Sequence, residues 1–445
     1  MTDMKPAKKW ILFLAAIPLC ISANCGILAW AAPGTIPLLV ICGLAANVLP
    51  LLAGPYGVSK RLRILAHGLG CLKLFLISTA LSVAVQLMLA VGYLFSNPLL
   101  WLMSVLVCTC VLALTFWNGM ITVYCTSVQL GIKLRIIGVI CGLIPIANLI
   151  ALWKILKTIS AEICFEAEKE ALDQSRHAAQ ICKTKYPILL VHGVFFRDSR
   201  FFNYWGRIPE VLTKNGADIF YGNQPSAASV ADCAQALTER IREVLRQTGS
   251  DKVNIIAHSK GGLDCRYAMT FCGAAPYVAS LTTINTPHRG CKFADYLLNM
   301  IPQPAQQQVA ETYNKALQKL GESDADFMAA VNDLTSVRCL ELDKAMPIPD
   351  GVFCHSVGSK LNRASGGKFP LNFTYHLVRY FDGANDGLVG EESFQWGSNY
   401  TFLQTEWPSG ISHGDMIDLN RYNLPGFDVR EFYVHLVNDL RQRGL

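Results

Sequence analysis

Ser259 has the neighbours that a nucleophilic serine needs. In Ala257-His258-Ser259-Lys260-Gly261, small residues stand two positions before and two positions after the serine, and an apolar run precedes them. This pattern predicts a sharp turn between a strand and a helix that holds the hydroxyl clear of the backbone. A serine hydroxyl attacks a carbonyl carbon only when an imidazole accepts its proton and a carboxylate orients that imidazole. The sequence must therefore also supply an acid and a base.

The acid and the base are expected downstream of Ser259, in the chain order serine, acid, histidine. Asp386 in Asn-Asp-Gly-Leu-Val is the favoured acid, because a carboxylate before a glycine and an apolar run fits the end of a strand, and Asp382 is the alternative. Of the two histidines that follow, His413 lies in a segment flanked by glycine, whereas His435 lies inside a helical pattern. We therefore expect Ser259, Asp386 and His413 to form a catalytic triad.

Acyl transfer also needs backbone N–H groups that stabilise the oxyanion of the tetrahedral intermediate. One donor is expected from Lys260, the residue after the nucleophile, and the other from Val194, after the turn His192-Gly193. We interpret His192 as a residue that shapes this turn and His258 as a packing residue beside the nucleophile.

Alternating strand and helix patterns surround these residues. This alternation predicts a mostly parallel sheet with helices on both faces. Residues 292–345 interrupt it with helical segments rich in Gln, Ala and Leu. Strands are predicted at 187–192, 218–221, 252–257, 278–284 and 351–358, and helices at 203–215, 229–248, 260–273 and 428–443.

Several of these segments together resemble one family. Tyr-Pro-Ile-Leu-Leu-Val-His-Gly (186–193), Tyr-Trp-Gly (204–206) and the segments 252–267 and 278–295 resemble the bacterial triacylglycerol lipases of the Pseudomonas–Burkholderia type. The resemblance implies an α/β-hydrolase fold with Ser259 as nucleophile, Asp386 as its acid and His413 as its base. It also implies that the helical insertion, 292–345, is a lid.

The resemblance bears on metal and substrate binding as well. Those lipases hold a structural calcium with an aspartate two residues after the histidine, which is Asp415 here, but their second carboxylate has no match between 355 and 380. Asp415 is therefore a candidate calcium ligand, with a hydrogen bond to the histidine loop as the alternative. The expected reaction itself requires no cofactor. Phe195 and Phe196, after the oxyanion loop, are candidates to line an acyl pocket, with core packing as the alternative.

The N-terminal third of the chain has a different composition. Residues 1–160 hold eleven Lys and Arg but one acidic residue, and five apolar runs there are 18 to 27 residues long. Each run is long enough to cross a bilayer. We predict a transmembrane region of about five helices at 1–158, a linker helix with a solvated acidic face at 159–184, and the hydrolase domain at 185–445. The five runs are 10–32, 35–54, 74–95, 99–125 and 136–153.

The basic residues of this region cluster between the apolar runs, which is typical of membrane flanks rather than of nucleic-acid binding. Because basic loops stay in the cytoplasm, a fifth run that crosses would put the hydrolase domain outside the cytoplasm, and we favour this orientation. A fifth run that does not cross would leave the domain inside. The eight cysteines after residue 160 have no metal-type spacing, and so many unpaired thiols argue for the reducing side or an anaerobic source. The resemblance implies a bacterial cell membrane.

These features favour a membrane-anchored serine hydrolase that cleaves carboxylic esters of lipids. Its partners would be the lipid substrate and the bilayer. One alternative is acyl transfer, deacylation or phospholipase action on a membrane substrate, because nothing in the sequence separates these from simple hydrolysis. Another is a membrane sensor or transport protein whose hydrolase-like domain only binds, although such domains normally lack the serine or the histidine.

Overall fold

The chain folds as two compact units. The computed structural model describes residues 6–142, 144, 146–194, 203–319 and 325–445. Residues 1–175 form the N-terminal unit and residues 176–445 the C-terminal unit.

The N-terminal unit is helical in its described part. Its helices are α1 (Pro6–Ala23), α2 (Gly26–Ala31), α3 (Ile36–Val48), α4 (Lys60–Tyr93), α5 (Pro98–Thr126), α6 (Gly131–Cys141) and α7 (Ala147–Arg176), and short 3₁₀ turns flank α3. Among the described residues, three helical segments are long and apolar enough to cross a membrane, namely Pro33–Ala53, Lys60–Tyr93 and Pro98–Thr126.

The first and the fifth predicted spans are each divided between two helices. The first run divides between α1 and α2 because the Asn24 side chain turns back to the Cys20 carbonyl at 2.9 Å and also reaches Ser82 Oγ at 2.8 Å. Gly26 then allows close packing, since a Cβ there would lie 2.6 Å from Ser104 Cα. The fifth run divides between α6, which ends at Cys141, and α7. Helix α6 has only 11 residues, too few for a crossing of about 20.

Helix α7 contains residues 159–176 of the predicted linker, but its acidic face is not simply solvated. The Glu162 carboxylate is buried and lies 2.7 Å from Arg61 Nη1 and 2.6 Å from Ser127 Oγ. The N–H groups of Val128 and Gln129 also donate to it. The solvated-face interpretation is therefore wrong at Glu162, which fixes α7 to other parts of the N-terminal unit.

The C-terminal unit is built on a parallel six-stranded sheet. The strands are β1 (Ile188–Val191), β2 (Ile219–Tyr221), β3 (Val253–His258), β4 (Val278–Ile284), β5 (Phe353–Ser359) and β6 (Asn399–Leu403), in the order β2-β1-β3-β4-β5-β6. All neighbouring strands run parallel. The helices are α8 (Ile208–Lys214), α9 (Val230–Thr248), α10 (Lys260–Phe271), α11 (Lys292–Met300), α12 (Gln303–Lys319), α13 (Phe327–Asn332), α14 (Ser336–Ala345), α15 (Leu371–Asp382) and α16 (Val429–Gln442).

Successive residues of the central strands serve opposite faces of this sheet, as the two-residue period of a strand requires. Leu190 and Ile256 pack with α8 and α16 on one face, whereas Leu189 and Ile255 pack with α9 and α10 on the other. The strands are buried on both faces because helices cover both. The predicted fold class is confirmed: an all-helical region precedes a parallel sheet wrapped by helices.

Two elements of this unit were not predicted. Strand β6 is a half-exposed edge strand with the polar-rich sequence Asn-Tyr-Thr-Phe-Leu, which lacks the apolar run of a central strand. Helix α15 follows directly after Pro370, and its buried residues Leu371, Tyr375 and Val378 repeat at helical spacing, a signal that the prediction did not use. The insertion 292–345 forms the helices α11 to α14 in its described part.

Candidate active site

Ser259 lies at the turn between β3 and α10 in a strained backbone conformation. Its φ is +55° and its ψ is −132°, a region that residues with a side chain rarely adopt. Its N–H donates to the Ile284 carbonyl at 2.9 Å. Neighbouring backbone comes so close that a Cβ on Gly261 would lie 2.4 Å from the His192 carbonyl oxygen, and one on Gly193 would lie 2.8 Å from Ser259 Cβ. The small residues around Ser259 thus let strand, loop and helix meet there.

The two candidate oxyanion donors lie on either side of this serine. Lys260 is the first residue of α10, where an N–H has no acceptor inside the helix. Val194 follows β1 on the loop after Gly193 and lines the same cavity as Ser259. The Gly193 N–H is already used, since it donates to the Tyr204 hydroxyl at 3.0 Å, so Val194 offers the next N–H of this loop.

His413 and Asp386 form a direct pair. His413 Nδ1 lies 2.6 Å from Asp386 Oδ2, and the His413 N–H donates to the Asp386 carbonyl at 2.9 Å. Both side chains are buried, and His413 lines the cavity together with Ser259. The carboxylate can only accept while it is ionised, so Nδ1 carries a proton and Nε2 is left as the basic nitrogen.

Other groups also hold the Asp386 carboxylate. The Leu388 and Val389 N–H groups donate to its Oδ1 at 2.9 and 2.8 Å. The Asn285 amide donates to its Oδ2 at 2.5 Å and to Ser359 Oγ at 2.8 Å. These bonds fix the orientation of the carboxylate.

The alternative acid and base lie elsewhere. Asp382 pairs with Lys292 at 3.3 Å. His435 is 77% exposed on α16 and its nearest carboxylate, Glu431, is 3.9 Å away. The geometry therefore joins His413 to Asp386 and not to Asp382.

Asn285 and Tyr204 make polar contacts in the site that were not predicted from the sequence. Asn285 follows β4 with a φ of +47°, so it lies at the same edge of the sheet as Ser259 and aims its amide at Asp386. Tyr204 is buried and its hydroxyl lies 2.7 Å from His258 Nδ1. A polar residue directly after a buried parallel strand was the available signal for Asn285, whereas the Tyr-Trp-Gly segment marked Tyr204 through the family resemblance without indicating its polar contact.

The side chain of Lys260 points into the protein. Its Nζ lies 2.7 Å from Asp264 Oδ1 and 3.3 Å from Cys233 Sγ, and all three residues are buried. Burial raises the pKa of the Asp264 carboxyl to about 6, although Lys260 opposes this shift. Burial likewise raises the pKa of the Cys233 thiol to about 12, so the sulfur stays protonated and accepts from Lys260.

A large apolar cavity opens over Ser259. Its volume is about 490 Å³, within the range of about 300–1,000 Å³ for small-molecule sites. The helices of the insertion supply much of its wall through apolar side chains such as Leu297, Val309, Met328 and Val331. The wall of the cavity is mostly apolar, which suits an apolar ligand. Phe195 and Phe196, the predicted pocket residues, lie outside the described residues.

The residues around Asp415 do not fit a cation site. Asp415 Oδ2 accepts from the Ser412 N–H at 2.8 Å and from the Ser412 hydroxyl at 2.7 Å. The nearby Asp418 carboxylate is taken by the Arg207 guanidinium, at 2.7 and 2.8 Å. In the described part of the chain no group of three or more His, Cys, Asp or Glu residues could hold a metal ion. Asp415 instead stabilises the loop that carries His413.

Comparison with known proteins points to lipases. Residues 187–330 match the family described as palmitoyl protein thioesterase. A triacylglycerol lipase of Burkholderia plantarii is 32% identical over 200 residues, which are 42% of this chain and 54% of the relative. A triacylglycerol lipase of Vibrio cholerae is 28% identical over 316 residues, which are 65% of this chain and 97% of the relative. The mature Bacillus licheniformis lipase BlEst2 is 24% identical, with a TM-score of 0.43 over 57% of this chain and 92% of its own.

The chain spans about half the length of the Burkholderia relative, with 54% of it covered. The relatives' names and the matched family support a hydrolase of the lipase or esterase type. The resemblance seen in the sequence motifs is confirmed. The C-terminal unit of this chain accordingly has the α/β-hydrolase fold and is similar to the bacterial triacylglycerol lipases.

Proposed function

We propose that this protein is a membrane-anchored serine hydrolase that cleaves carboxylic esters of lipids. The observation that carries the proposal is the buried His413–Asp386 pair, 2.6 Å apart, on the wall of an apolar cavity that Ser259 also lines. A buried acid–base pair beside a strained serine supports nucleophilic catalysis, and the apolar wall supports a fatty acyl substrate.

In this reaction Ser259 Oγ attacks the ester carbonyl carbon while its proton passes to His413 Nε2. Asp386 stabilises the imidazolium that forms, and the N–H groups of Val194 and Lys260 donate to the oxyanion. The carbon–oxygen bond to the alcohol then breaks, and His413 returns the proton to the leaving alcohol. A water molecule, deprotonated by His413, attacks the acyl-enzyme and releases the fatty acid and Ser259.

The apolar helices support anchoring in a bilayer. Three segments are long and apolar enough to cross it. We infer that the hydrolase unit faces the cytoplasm, because the fifth apolar run is divided into the 11-residue α6 and a helix α7 that carries Lys154 and Lys157. This differs from the favoured expectation, which assumed that the fifth run crosses. The cysteines are free thiols throughout the described chain, which also favours a reducing compartment.

Thioester cleavage is the second candidate. It is favoured by the match of residues 187–330 to the palmitoyl protein thioesterase family. A thioester places the same acyl carbonyl before Ser259 and differs in its leaving group, which is a thiol rather than an alcohol. The acyl cavity would serve both substrates.

The test uses the purified full chain in detergent and a panel of nitrophenyl esters, glycerides, phospholipids and palmitoyl thioesters. We expect Ser259→Ala to abolish hydrolysis and also the labelling of the protein by a fluorophosphonate. Ser280→Ala is the matched control, because the Ser280 hydroxyl is buried on β4 and bonded to Asn254 Oδ1 at 2.7 Å. A folded wild-type protein that is not labelled at Ser259 would contradict the proposed function, and the panel separates esters from thioesters.

A further inference from the structure

A chain of hydrogen bonds links the oxyanion loop to the loop of the base. The Gly193 N–H lies 3.0 Å from the Tyr204 hydroxyl, and this hydroxyl lies 2.7 Å from His258 Nδ1. At its other end, His258 Nε2 lies 3.2 Å from the His413 carbonyl oxygen. The four groups lie at positions 193, 204, 258 and 413 of the chain and meet beside the nucleophile.

The direction of each bond follows from the chemistry of its atoms. A carbonyl oxygen can only accept, so His258 Nε2 must carry a proton and donate to His413. Burial, with His413 adding to it, holds the pKa of His258 well below its usual range, so Nδ1 is bare and accepts from the Tyr204 hydroxyl. The phenol oxygen is then free to accept from the Gly193 N–H. Every donor in the chain has an acceptor.

The same residues are also in van der Waals contact. The His258 ring is tilted against the His413 ring with a centroid distance of 4.4 Å. The Tyr204 ring lies 5.8 Å from the His258 ring and 5.6 Å from the Trp205 ring. His258 and Tyr204 are buried, so displacement of either ring would leave polar groups unpaired inside the protein.

We propose that Tyr204 and His258 are positioning residues that fix the Val194 oxyanion donor and the His413 base relative to each other around Ser259. This inference rests on the proposed function. Gly193 precedes Val194, so the phenol fixes the backbone that aims the Val194 N–H. His258 fixes the backbone of His413, and Asp386 fixes its ring. The base and one oxyanion donor are therefore placed relative to each other through protein groups, not through the substrate.

The test compares Tyr204→Phe with Tyr433→Phe in the full chain. Tyr433 is a closely matched control, because its ring also packs on Trp205, with a centroid distance of 6.0 Å. Its buried hydroxyl donates to the Met416 carbonyl at 3.0 Å and so takes no part in the chain of hydrogen bonds. Removing one oxyanion donor lowers kcat by about 10²–10³-fold. We expect Tyr204→Phe, which misplaces a donor without removing it, to lower kcat by about 10–100-fold with KM within about threefold.

Tyr433→Phe should keep kcat within about threefold of wild type, and both variants should keep the wild-type far-UV circular dichroism. Equal kcat values for Tyr204→Phe and the wild type, or an equal loss in both variants, would overturn the positioning role. A second measurement does not depend on hydrolysis. Imidazole ¹⁵N NMR, with His258 assigned by the loss of its signals in His258→Asn, should show a neutral Nε2–H tautomer between pH 5 and 8.

The Nδ1–H tautomer, or protonation of His258 in this range, would overturn the inference whether or not the protein is active. If no ester or thioester is cleaved and Ser259 is not labelled, the proposed function fails. In that case the tautomer decides whether the hydrogen-bond chain exists as described.

Discussion

The His413 imidazole and the Asp386 carboxylate are joined twice, through Nδ1 and Oδ2 at 2.6 Å and through the His413 N–H and the Asp386 carbonyl at 2.9 Å. The ring and the backbone of the candidate base are therefore both set by the same acidic residue. This double connection makes the orientation of His413 sensitive to any change in the hydrogen-bonding character of Asp386.

Asp386→Asn should inactivate the site without unfolding it. An amide at this position offers one acceptor, which the Leu388 and Val389 N–H groups already use, so its NH₂ group would face His413. His413 would then accept through Nδ1 and carry its proton on Nε2, the wrong tautomer for a base. We expect kcat to fall by about 10³–10⁴-fold, as for other buried triad acids. Steady-state kinetics with a short-chain nitrophenyl ester would measure it.

Asp382→Asn is the control for this substitution. Asp382 is four residues away and pairs with Lys292 at 3.3 Å, where the lysine side chain is half-exposed. We expect kcat within about threefold of wild type, because a partly solvated ion pair contributes about 0–1 kcal/mol. A larger loss in Asp382→Asn than in Asp386→Asn would make Asp382 the acid.

Leu297→Trp should change chain-length selectivity. Leu297 on α11 lines the 490 Å³ cavity, and an indole there would fill space that a long acyl chain needs. We expect kcat/KM for a palmitoyl ester to fall by about tenfold or more and that for a butyryl ester to change by less than about threefold. Leu340→Trp is the control, because Leu340 on α14 is exposed and its replacement should leave the ratio unchanged. Equal effects on both esters in Leu297→Trp would contradict an acyl cavity.

The Lys260–Asp264 ion pair should be important for stability because it is buried. Its side chains are 2% and 3% exposed, whereas those of Lys214 and Glu210, with the same four-residue spacing, are 55% and 67% exposed. Lys260→Met leaves a buried carboxylate unpaired and should lower the free energy of unfolding by about 3–5 kcal/mol. Lys214→Met should change it by less than about 1 kcal/mol.

Denaturant titration of the full chain in detergent, followed by tryptophan fluorescence, would measure both variants. Adding Asp264→Leu to Lys260→Met should restore most of the loss, since replacing a whole buried pair by apolar residues is often neutral. If the double variant is no more stable than Lys260→Met, the unpaired carboxylate is not the cause.

Much of the candidate site could be predicted because its chemistry is local in the sequence. Ser259 depends on residues within two positions of it, and Asp386 and His413 are marked by glycine-flanked turns and by chain order. The polar contacts of Asn285 and Tyr204 could not be predicted in this way. Asn285 meets Asp386 across 101 positions and Tyr204 meets His258 across 54, so only the packed sheet and its loops bring these groups together.

The number of membrane spans was harder to predict than the sheet. An apolar run reports hydrophobic length but not the continuity of the helix. Helix α1 ends within an apolar run, where the Asn24 side chain bonds to Cys20 and Ser82. A hydropathy pattern does not predict such a break. The burial of Glu162 against Arg61 likewise depends on a partner 101 positions away.

His288 should make the hydrolase unit less stable in acid. The ring is buried, stacks on Trp396 at 5.1 Å and faces Arg266 Nη1 at 3.1 Å. Burial, and then the charge of Arg266, lower its pKa well below the usual range. Below about pH 6.5 the His288 side chain binds a proton in the unfolded chain but not in the folded protein. The stability contribution is therefore present above that pH and is lost as the pH falls, at about 1.4 kcal/mol per pH unit.

Asp264, with its pKa raised to about 6, stabilises the folded protein as the pH falls through part of this range, opposite to His288. The measurement therefore compares the slope of unfolding free energy against pH in the variant with that in wild type. Between pH 6 and 5 the free energy of unfolding should fall less steeply in His288→Asn than in wild type. The difference between the two slopes should be about 1.4 kcal/mol per pH unit. His435→Asn is the control, since that side chain is exposed. Coincident slopes for wild type and His288→Asn would show that His288 is protonated in the folded state.

The side of the membrane that the active site faces can be tested by reporter fusions. Lys60, Arg61 and Arg63 open α4, and the positive-inside rule puts this end in the cytoplasm. If α4 and α5 both cross, the chain returns to the cytoplasm at Thr126. Neither α6, with 11 residues, nor the apolar start of α7 before Lys154 is long enough for another crossing.

We therefore expect a C-terminal green fluorescent protein to fluoresce and a C-terminal alkaline phosphatase to be inactive in a bacterial host. The control is a phosphatase fused after Asn97, in the connection between α4 and α5, which should be active because two charge-free ends meet there. Active phosphatase at both positions would show that the chain crosses once more after α5. The hydrolase would then face away from the cytoplasm, and its substrates would be lipids of the outer leaflet.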